Sequence, residues 1–562
     1  MGLTFNFLGG AGDYEKGELG GVQLLIGDKL LFDCGQRPDH MGQFYGFPFS
    51  PSAYQVLDIS EQLKLYPGLE QMFRHDYQKK RGVDVRGPPE RKVLISHPHY
   101  DHVGGLPLLR HDAEVYMHRD AKRMLYVWET LTGRNNQFID IKDPFTLVNK
   151  RDGEKKMISG LKAILGRNVK TFGDYDTIDL DGMKATAYPV DHSIVGSCGF
   201  ILETEIGLIA ITGDIRLRGR HRENTEKFFQ AALERKVQHL FTEASLLHFE
   251  HEGTEDDVAQ GIAEMTQGKS FVAVSSPPRD LERLTSLLMA AKATGRTLCV
   301  PPMVMTYLRE FGGEQGFPEI NDPNMAVLMM PKGKANINAL LGPARDKPVE
   351  EGEGDEDEEP EEEIPKHIIE ADYRFQDRQY LSWNRWKNLD RIEESDQQAL
   401  FDIVVKGKAK RRRQKVTLDD IRRYPDKFIV LMQPNEMIPM LTAIAGSKGR
   451  MPEHSIYIRS HPEGWNDEMR VGDARKRNIL KAFGMYDRPQ PDYFARSIMR
   501  DNHQIHVTGH MNRREQTEIL DRFSQIVVYH TLDPRNAVEI IKRAKVTVPE
   551  RGVPFELERI AT

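Results

Sequence analysis

The chain has 562 residues, 39% of them hydrophobic and 29% charged, with a formal net charge of -7. That length exceeds one ordinary domain and points to about two to four, and no stretch approaches the roughly 18–20 continuous apolar residues of a membrane span. Cys34, Cys198 and Cys299, odd in number and far apart, exclude a disulfide framework and a Cys-x-x-Cys knuckle, so cytoplasmic residence is expected. The negative balance excludes an overall basic coat but leaves room for a local basic groove.

The amino end, Met1 to Leu8, lacks a basic region and a long apolar core, so it is expected to be a strand running into a Gly-rich turn rather than a signal peptide. Asn6 stands where a myristoylation signal needs Ser or Thr. Lys29 to Phe32 reads as a strand delivering Asp33, and Val93 to Ser96 as a short buried strand. His97-Pro98-His99-Tyr100-Asp101-His102 follows, the most informative stretch of the chain. Side chains alternate along an extended segment, so His97 and His99 share one side, while Asp101 and His102 fall after the bend and face a second point. Imidazole with carboxylate suits zinc or manganese, and one loop cannot complete two coordination shells. Further ligands are therefore expected from other strand ends. Tyr188 to Ser193 supplies His192, the buried run Gly207 to Gly213 delivers Asp214, and His239 to Glu243 ends in a carboxylate. A single histidine at a strand end is usually a hydrogen-bonded structural residue; several in series are not.

Beyond Ser245 strands and helices alternate. Phe271 to Ser275 reads as a strand, and Asp280 to Ala293 as a helix with Leu281, Leu284, Leu287, Leu288 and Ala291 at helical spacing. Thr297 to Val300 reads as the next strand, and units of this kind build a three-layer α/β domain. An acidic stretch, 349–363, reads as a solvated loop or as an internal nucleic-acid mimic. A basic stretch, 406–415, reads as a phosphate grip or a linker. From about Asn502 short strands and one helix, Arg535 to Ala544, are expected; Gln504 to Thr508 is a strand running into Gly509-His510, and Gln525 to Tyr529 a strand ending in His530.

The order strand-Asp, His-x-His-x-Asp-His, His, Gly-Asp resembles the metallo-beta-lactamase superfamily. The later acidic strand end, a long α/β insertion, Gly-His and strand-His resemble its beta-CASP nuclease branch, which includes ribonuclease J. The resemblance implies an αββα sandwich formed by 1–245 and 500–562, with an inserted three-layer α/β domain over 246–499. It implies two zinc ions, with manganese as the alternative: one on His97, His99 and His192, the other on Asp101, His102 and His530, with Asp214 between. Asp33 would orient ligands, and Glu243 with His510 would form an acid pair at the leaving oxygen, so Asp33, Asp101, Glu243 and His510 are the expected catalytic residues. Ser275, Ser276, Arg279, Arg283 and Thr508 are expected to bind phosphate. The chain departs from the family at Ala244-Ser245 and at Thr531-Leu532, and Met511-Asn512 stand after Gly-His where ribonuclease J proteins tend to carry small residues and Ser, which leaves the 5′-phosphate pocket of the exonucleases unsupported. A carboxy-terminal oligomerisation domain like that of ribonuclease J is not expected, and a homodimer is left open.

The function expected is a metal-dependent phosphodiesterase acting on RNA, as an exonuclease, an endonuclease or both. His530 at the last motif resembles the RNA-cleaving members, where the DNA-repair members carry valine. The alternatives are a DNA nuclease of the same architecture and a catalytically silent scaffold. A lactonase or thioesterase leaves the long insertion and His510 without a role.

Overall fold

The computed structural model describes residues 2–12, 17–45, 56–84, 87–132, 136–142, 146–149, 155–158, 164–250, 253–329, 415–433, 436–462, 464, 467–485, 499–500 and 503–560. The acidic stretch 349–363, and all but the last residue of the basic stretch 406–415, lie outside them.

Two seven-stranded sheets face each other. The first runs, in spatial order, Val169–Phe172, Val115–His118, Lys92–Leu94, Leu30–Phe32, Gln23–Ile26, Gly2–Gly9 and Phe555–Glu558. The second runs Thr177–Asp179, Lys184–Pro189, Cys198–Thr204, Gly207–Ile211, His239–Glu243, Gln525–Tyr529 and Lys545–Thr547. Alternation along each strand decides which side chain enters the space between them: Leu30 and Phe32 point inward, Leu31 outward. Phe5, Phe7 and Phe32 meet Phe200, Phe241 and Tyr529 there, all essentially without solvent exposure. The Phe5 and Phe241 ring centroids are 4.8 Å apart and those of Phe7 and Tyr529 5.5 Å. Burying each ring contributes roughly 1.5–3 kcal/mol. Helix Arg119–Leu131 covers the outer face of the first sheet through Ala121 and Leu125; helix Arg222–Glu234 covers the second through Phe228, Phe229 and Ala232. The layers are helix, sheet, sheet, helix.

A third sheet, entirely parallel, orders Lys415–Thr417, Met325–Met329, Thr297–Val300, Phe428–Leu431, Val272–Ser275 and Ile456–Arg459. A parallel sheet is buried on both faces. Here Val272 and Val274 pack under helices Leu281–Ala293 and Pro302–Phe311, while Ala273 packs under Leu418–Arg423 and Met437–Ala445. Strand His239–Glu243 precedes this sheet in the chain and Gln525–Tyr529 follows it, yet the two pair directly, Glu243 beside Tyr529. The six-stranded unit is therefore an excursion between neighbouring strands. No helix among the described residues is long and apolar enough to cross a membrane.

The returning segment differs from expectation in two respects. Of the strand expected over 504–508 only Gln504 pairs, in the short strand His503–Gln504 against Met499–Arg500. The carbonyls beyond it are taken by side chains instead: Ser460 Oγ donates to Ile505 O (2.6 Å), Gln504 Nε2 to His506 O (2.7 Å) and Arg283 to Val507 O (3.0 Å). The segment also carries two helices, Arg513–Leu520 and Pro534–Ile540, not one. The first opens on a reciprocal cap, with Glu515 N donating to Asn512 Oδ1 and Asn512 N to Glu515 Oε2, both at 3.0 Å.

Candidate metal centre

The carboxyl ends of strands from both sheets of the sandwich converge. After Leu30–Phe32 the chain turns at Asp33 (φ 55°), whose N–H donates to Leu94 O on the parallel neighbour. The Asp33 carboxylate, fully buried, accepts from Ser96 N, Ser96 Oγ and His102 Nδ1, each at 2.7 Å. His102 lies in the short helix Tyr100–Val103 that follows His97-Pro98-His99. Asp101 O accepts from Val22 N (2.9 Å) and lies so close to Gly35 that a Cβ there would be 1.6 Å away; only glycine fits. From the second sheet come His192 after Lys184–Pro189, Asp214 after Gly207–Ile211, Glu243 at its strand end, and His530 (φ 51°) after Gln525–Tyr529. Gly10, at φ 79°, offers its carbonyl to His530 N at 2.6 Å.

Two sets of donor atoms result, each within 4.8 Å of one another: His97, His99 and His192, and Asp101, His102, Asp214 and His530. Asp214 Oδ2 lies between the sets, 3.6 Å from His97 Nε2, 3.9 Å from His192 Nε2, 3.3 Å from His102 Nε2 and 3.9 Å from His530 Nε2.

Outer partners orient the rings. His102 Nδ1 donates to Asp33 and His192 Nδ1 to Gly509 O (2.6 Å). The Ser96 hydroxyl donates to Asp33, so His97 Nδ1, 3.0 Å away, donates to it; the Ser245 hydroxyl donates to His530 O (2.9 Å), so His530 Nδ1, 2.7 Å away, likewise donates. With Nδ1 serving as donor in each case, Nε2 is turned toward Asp214. Burial pushes His97 and His192 well below the ordinary imidazole range and His99 to about 3, which keeps lone pairs on those rings. At His102 burial opposes a proton, but Asp214, Asp33 and Asp101 outweigh it and hold one well above that range; a cation and this proton compete for the same nitrogen.

His97 Nε2, His102 Nε2 and Asp214 Oδ1 are buried without a hydrogen-bond partner, and His99 Nδ1 is 3.0 Å from His192 Nε2. A buried cluster of lone pairs and carboxylates is costly unless a cation joins it. The donor set, nitrogen with carboxylate oxygen, fits divalent zinc or manganese.

Beside it Glu243, fully buried, accepts from Ser245 N (2.8 Å) and lies 3.3 Å from His510 Nδ1. Burial disfavours a proton on His510, yet Glu243 foremost raises it to about 9. The His510 ring, its side chain 24% exposed, lies 5.6 Å from that of His192 and 5.5 Å from that of His530. Glu243, His510 and His530 also converge within 4.8 Å, sharing His530 with the second set.

The residues expected to bind phosphate fare unevenly. Arg283 has no solvent exposure and its guanidinium donates to Glu255, Ser460, His506 Nδ1 and Val507 O, so it cannot grip a ligand. Ser275, Ser276 and Thr508 are buried, Thr508 Oγ1 donating to His510 O (2.9 Å). Arg279 does reach the site: its guanidinium carbon lies 3.7 Å from the Trp128 ring centroid and Nη1 donates to Pro98 O (3.4 Å). Sequence reasoning missed Ser96, Ser245, Gly509 and Arg216. Arg216 is fully buried, donating to Asp191 Oδ1 (2.9 Å) and Glu282 Oε2 (2.7 Å). Its only sequence signal is a position two residues beyond Asp214.

Residues 27–248 match the family model of the metallo-beta-lactamase superfamily. His97 through Glu243 fall inside that span; His510 and His530 lie beyond it. The chain is thus a mixed α/β protein with a metallo-beta-lactamase domain and a His/Asp cluster able to hold metal, and that superfamily consists mostly of metal-dependent hydrolases. No curated protein matches the sequence. Among solved structures, a protein of unknown function from Enterococcus faecalis V583 aligns over 99% of this chain and 100% of its own, with TM-score 0.59 and 15% identity, a likeness of fold alone. The metallo-beta-lactamase fold protein YhfI from Bacillus subtilis, 14% identical, covers 44% of this chain and 73% of its own at TM-score 0.23, too low to carry an argument.

Proposed function

We propose that the chain is a two-metal phosphodiesterase of the beta-CASP type that cleaves nucleic acid, RNA in preference to DNA. The observation that carries this reading is the Glu243–His510 pair beside two donor sets, with His510 supplied from beyond the six-stranded unit. His97, His99 and His192 would hold one ion; Asp101, His102 and His530 the other; Asp214 would touch both. When bound, two divalent cations, zinc before manganese, supply Lewis acidity toward a phosphoryl oxygen.

The chain's own groups do the rest. Asp33 and Ser96 fix the rings of His102 and His97 from behind, and the Gly509 carbonyl and Ser245 hydroxyl do the same for His192 and His530. Glu243 keeps a proton on His510, which suits donation to a departing alkoxide. A lactone or thioester needs no such acid beside a large second domain; a phosphodiester with a poor leaving group does. Arg279, whose guanidinium stacks on Trp128 and donates to Pro98 O, would meet a phosphate adjoining the scissile one. The strand would lie between the sandwich and the six-stranded unit. The preference for RNA rests on the likeness of His530 to the RNA-cleaving members.

RNA and DNA oligonucleotides of one sequence, end-labelled and carrying 5′-phosphate, 5′-hydroxyl or 5′-triphosphate, test it. Metal-dependent cleavage of the RNA supports the proposal, and release of mononucleotides from the 5′-phosphate substrate alone would assign 5′ exonuclease action. Cleavage of DNA alone would make the chain a DNA nuclease. No cleavage of either by metal-loaded protein would overturn the reading.

A further inference from the structure

The route by which the chain returns from the six-stranded unit is held in an unusual way. Residues 505–508 belong to no sheet, so the carbonyls of 505–507 are taken by the side chains of Ser460, Gln504 and Arg283, and Arg283 also grips the His506 ring. It lies in the first turn of helix Leu281–Ala293, buried completely. Its Nη1 donates to Ser460 O (2.7 Å), Ser460 Oγ (2.8 Å) and His506 Nδ1 (2.8 Å), and its Nη2 to Val507 O (3.0 Å). Glu255 clamps the other edge, with Oε1 2.7 Å from Nη2 and Oε2 3.1 Å from Nε. Helix Glu255–Thr266 presses on the same crossing: a Cβ on Gly261 would stand 2.1 Å from Gln504 O.

Two residues past Val507 is Gly509, whose carbonyl accepts from His192 Nδ1 and whose Cβ, were there one, would sit 2.9 Å from His192 Cε1. The residue after it is His510. The neighbour of Arg283, Glu282, holds the opposite end of the same histidine: it binds Arg216, which binds Asp191, the residue before His192. Glu255 joins the two arginines, 2.7 Å from Arg283 and 3.8 Å from Arg216. One helical turn thus sets both the start of the His192 loop and the carbonyl that aims its ring.

We infer that Arg283 is a positioning residue of the metal centre: rooted in the six-stranded unit, it holds the 506–507 crossing so that Gly509 aims the His192 ring and His510 meets Glu243. The six-stranded unit is then part of the metal centre's scaffold, and cation affinity at the first set depends on how the two units dock. This rests on the reading of His97, His99 and His192 as a cation-holding set. Outer partners of metal-bound histidines typically contribute about 10–100-fold in affinity. Arg283→Lys keeps the charge but cannot span Glu255, Ser460 and Val507 O together.

The test is a titration of the chelator-treated full chain with cobalt(II), read from its visible absorption, with His192→Ala and His530→Ala marking which step belongs to which set. Arg283→Lys should weaken the His192-dependent step by about tenfold or more, alter its spectrum, and leave the His530-dependent step within a few-fold. Ser460→Ala, which frees Ile505 O and removes one partner of Arg283, should move the same step in the same direction by less, and carries the test if Arg283→Lys does not fold. Unchanged affinities and spectra, or both steps weakening in parallel with thermal stability, would overturn the inference. If the unaltered chain showed no His192-dependent step, the reading of the first set would fall and this inference with it.

Discussion

Replacing Asp33 isolates the contribution of a fully buried carboxylate behind the cluster. Its carboxylate accepts three hydrogen bonds, from Ser96 N, Ser96 Oγ and His102 Nδ1, in a site without solvent. Asparagine has the same shape, but its amide oxygen has two lone pairs and its NH2 must face one of the three donors. At least one donor therefore loses its acceptor. An orphaned buried donor costs about 1–3 kcal/mol, with bonds to charged groups at the upper end. The nearby rings offer the Ser96 hydroxyl no new acceptor, since His97 Nδ1 (3.0 Å) and His102 Nδ1 (3.5 Å) both carry protons, so Asp33→Asn should destabilise the metal-free chain by about 2–3 kcal/mol. Released from its acceptor, His102 should bind a cation about 10–100-fold more weakly. Urea melts of the metal-free protein give the first number, and chelator competition on the refolded protein gives the second. An Asp33→Asn protein that melts like the original and holds both ions as tightly would refute the assignment of Asp33 as the anchor of His102.

His510→Ala should retain both ions by elemental analysis while slowing RNA cleavage by ~10²–10⁴-fold, and a phosphodiester with an activated leaving group should lose far less; equal losses on both substrates would count against a general acid. Affinity for RNA in a filter-binding assay should fall steeply with salt, and Arg279→Ala should weaken it while flattening that slope by about one unit; a salt-indifferent affinity would remove the case for a nucleic-acid ligand. Burial raises the Glu436 carboxyl to about 7. The folded chain then binds a proton there that the unfolded chain releases near 4.5, so this group's contribution is lost as pH rises from about 4.5 to 7. Thermal melts of Glu436→Gln should match the original chain at pH 4 and exceed it at pH 8, and the opposite order would contradict that burial.

What the sequence made legible was whatever leaves a local pattern. An apolar run ending in His or Asp marks a strand that brings a side chain to the cluster or to its supporting partners, and Phe32-Asp33, Ile95 to His102, Ile211 to Asp214 and Tyr529-His530 all have that form. The six-stranded unit was visible at Val272–Ser275, Leu281–Ala293 and Thr297–Val300 because period two and period 3.6 alternate there. What stayed hidden depends on remote segments meeting. An arginine in the first turn of a helix reads as a solvent-facing cation; Arg283 is internal only because Glu255, Ser460 and Val507, distant in the chain, close around it. The same meeting explains why Ile505 to Thr508, as apolar as a strand, joins no sheet. The helix Arg513–Leu520 was readable, since Asn512-x-x-Glu515 is a capping pattern, but its apolar face is short. Ser245 and Gly509 have no signature beyond standing beside functional residues.

The most direct measurement is cleavage of a 5′-labelled RNA by the chelator-treated chain before and after adding back zinc or manganese, with a DNA of the same sequence alongside. The chelator-treated chain should not cleave before metal is restored, and should cleave the RNA afterwards with weaker action on the DNA. Metal-restored protein that leaves both strands intact, or cleavage that persists undiminished after thorough chelation, would contradict it.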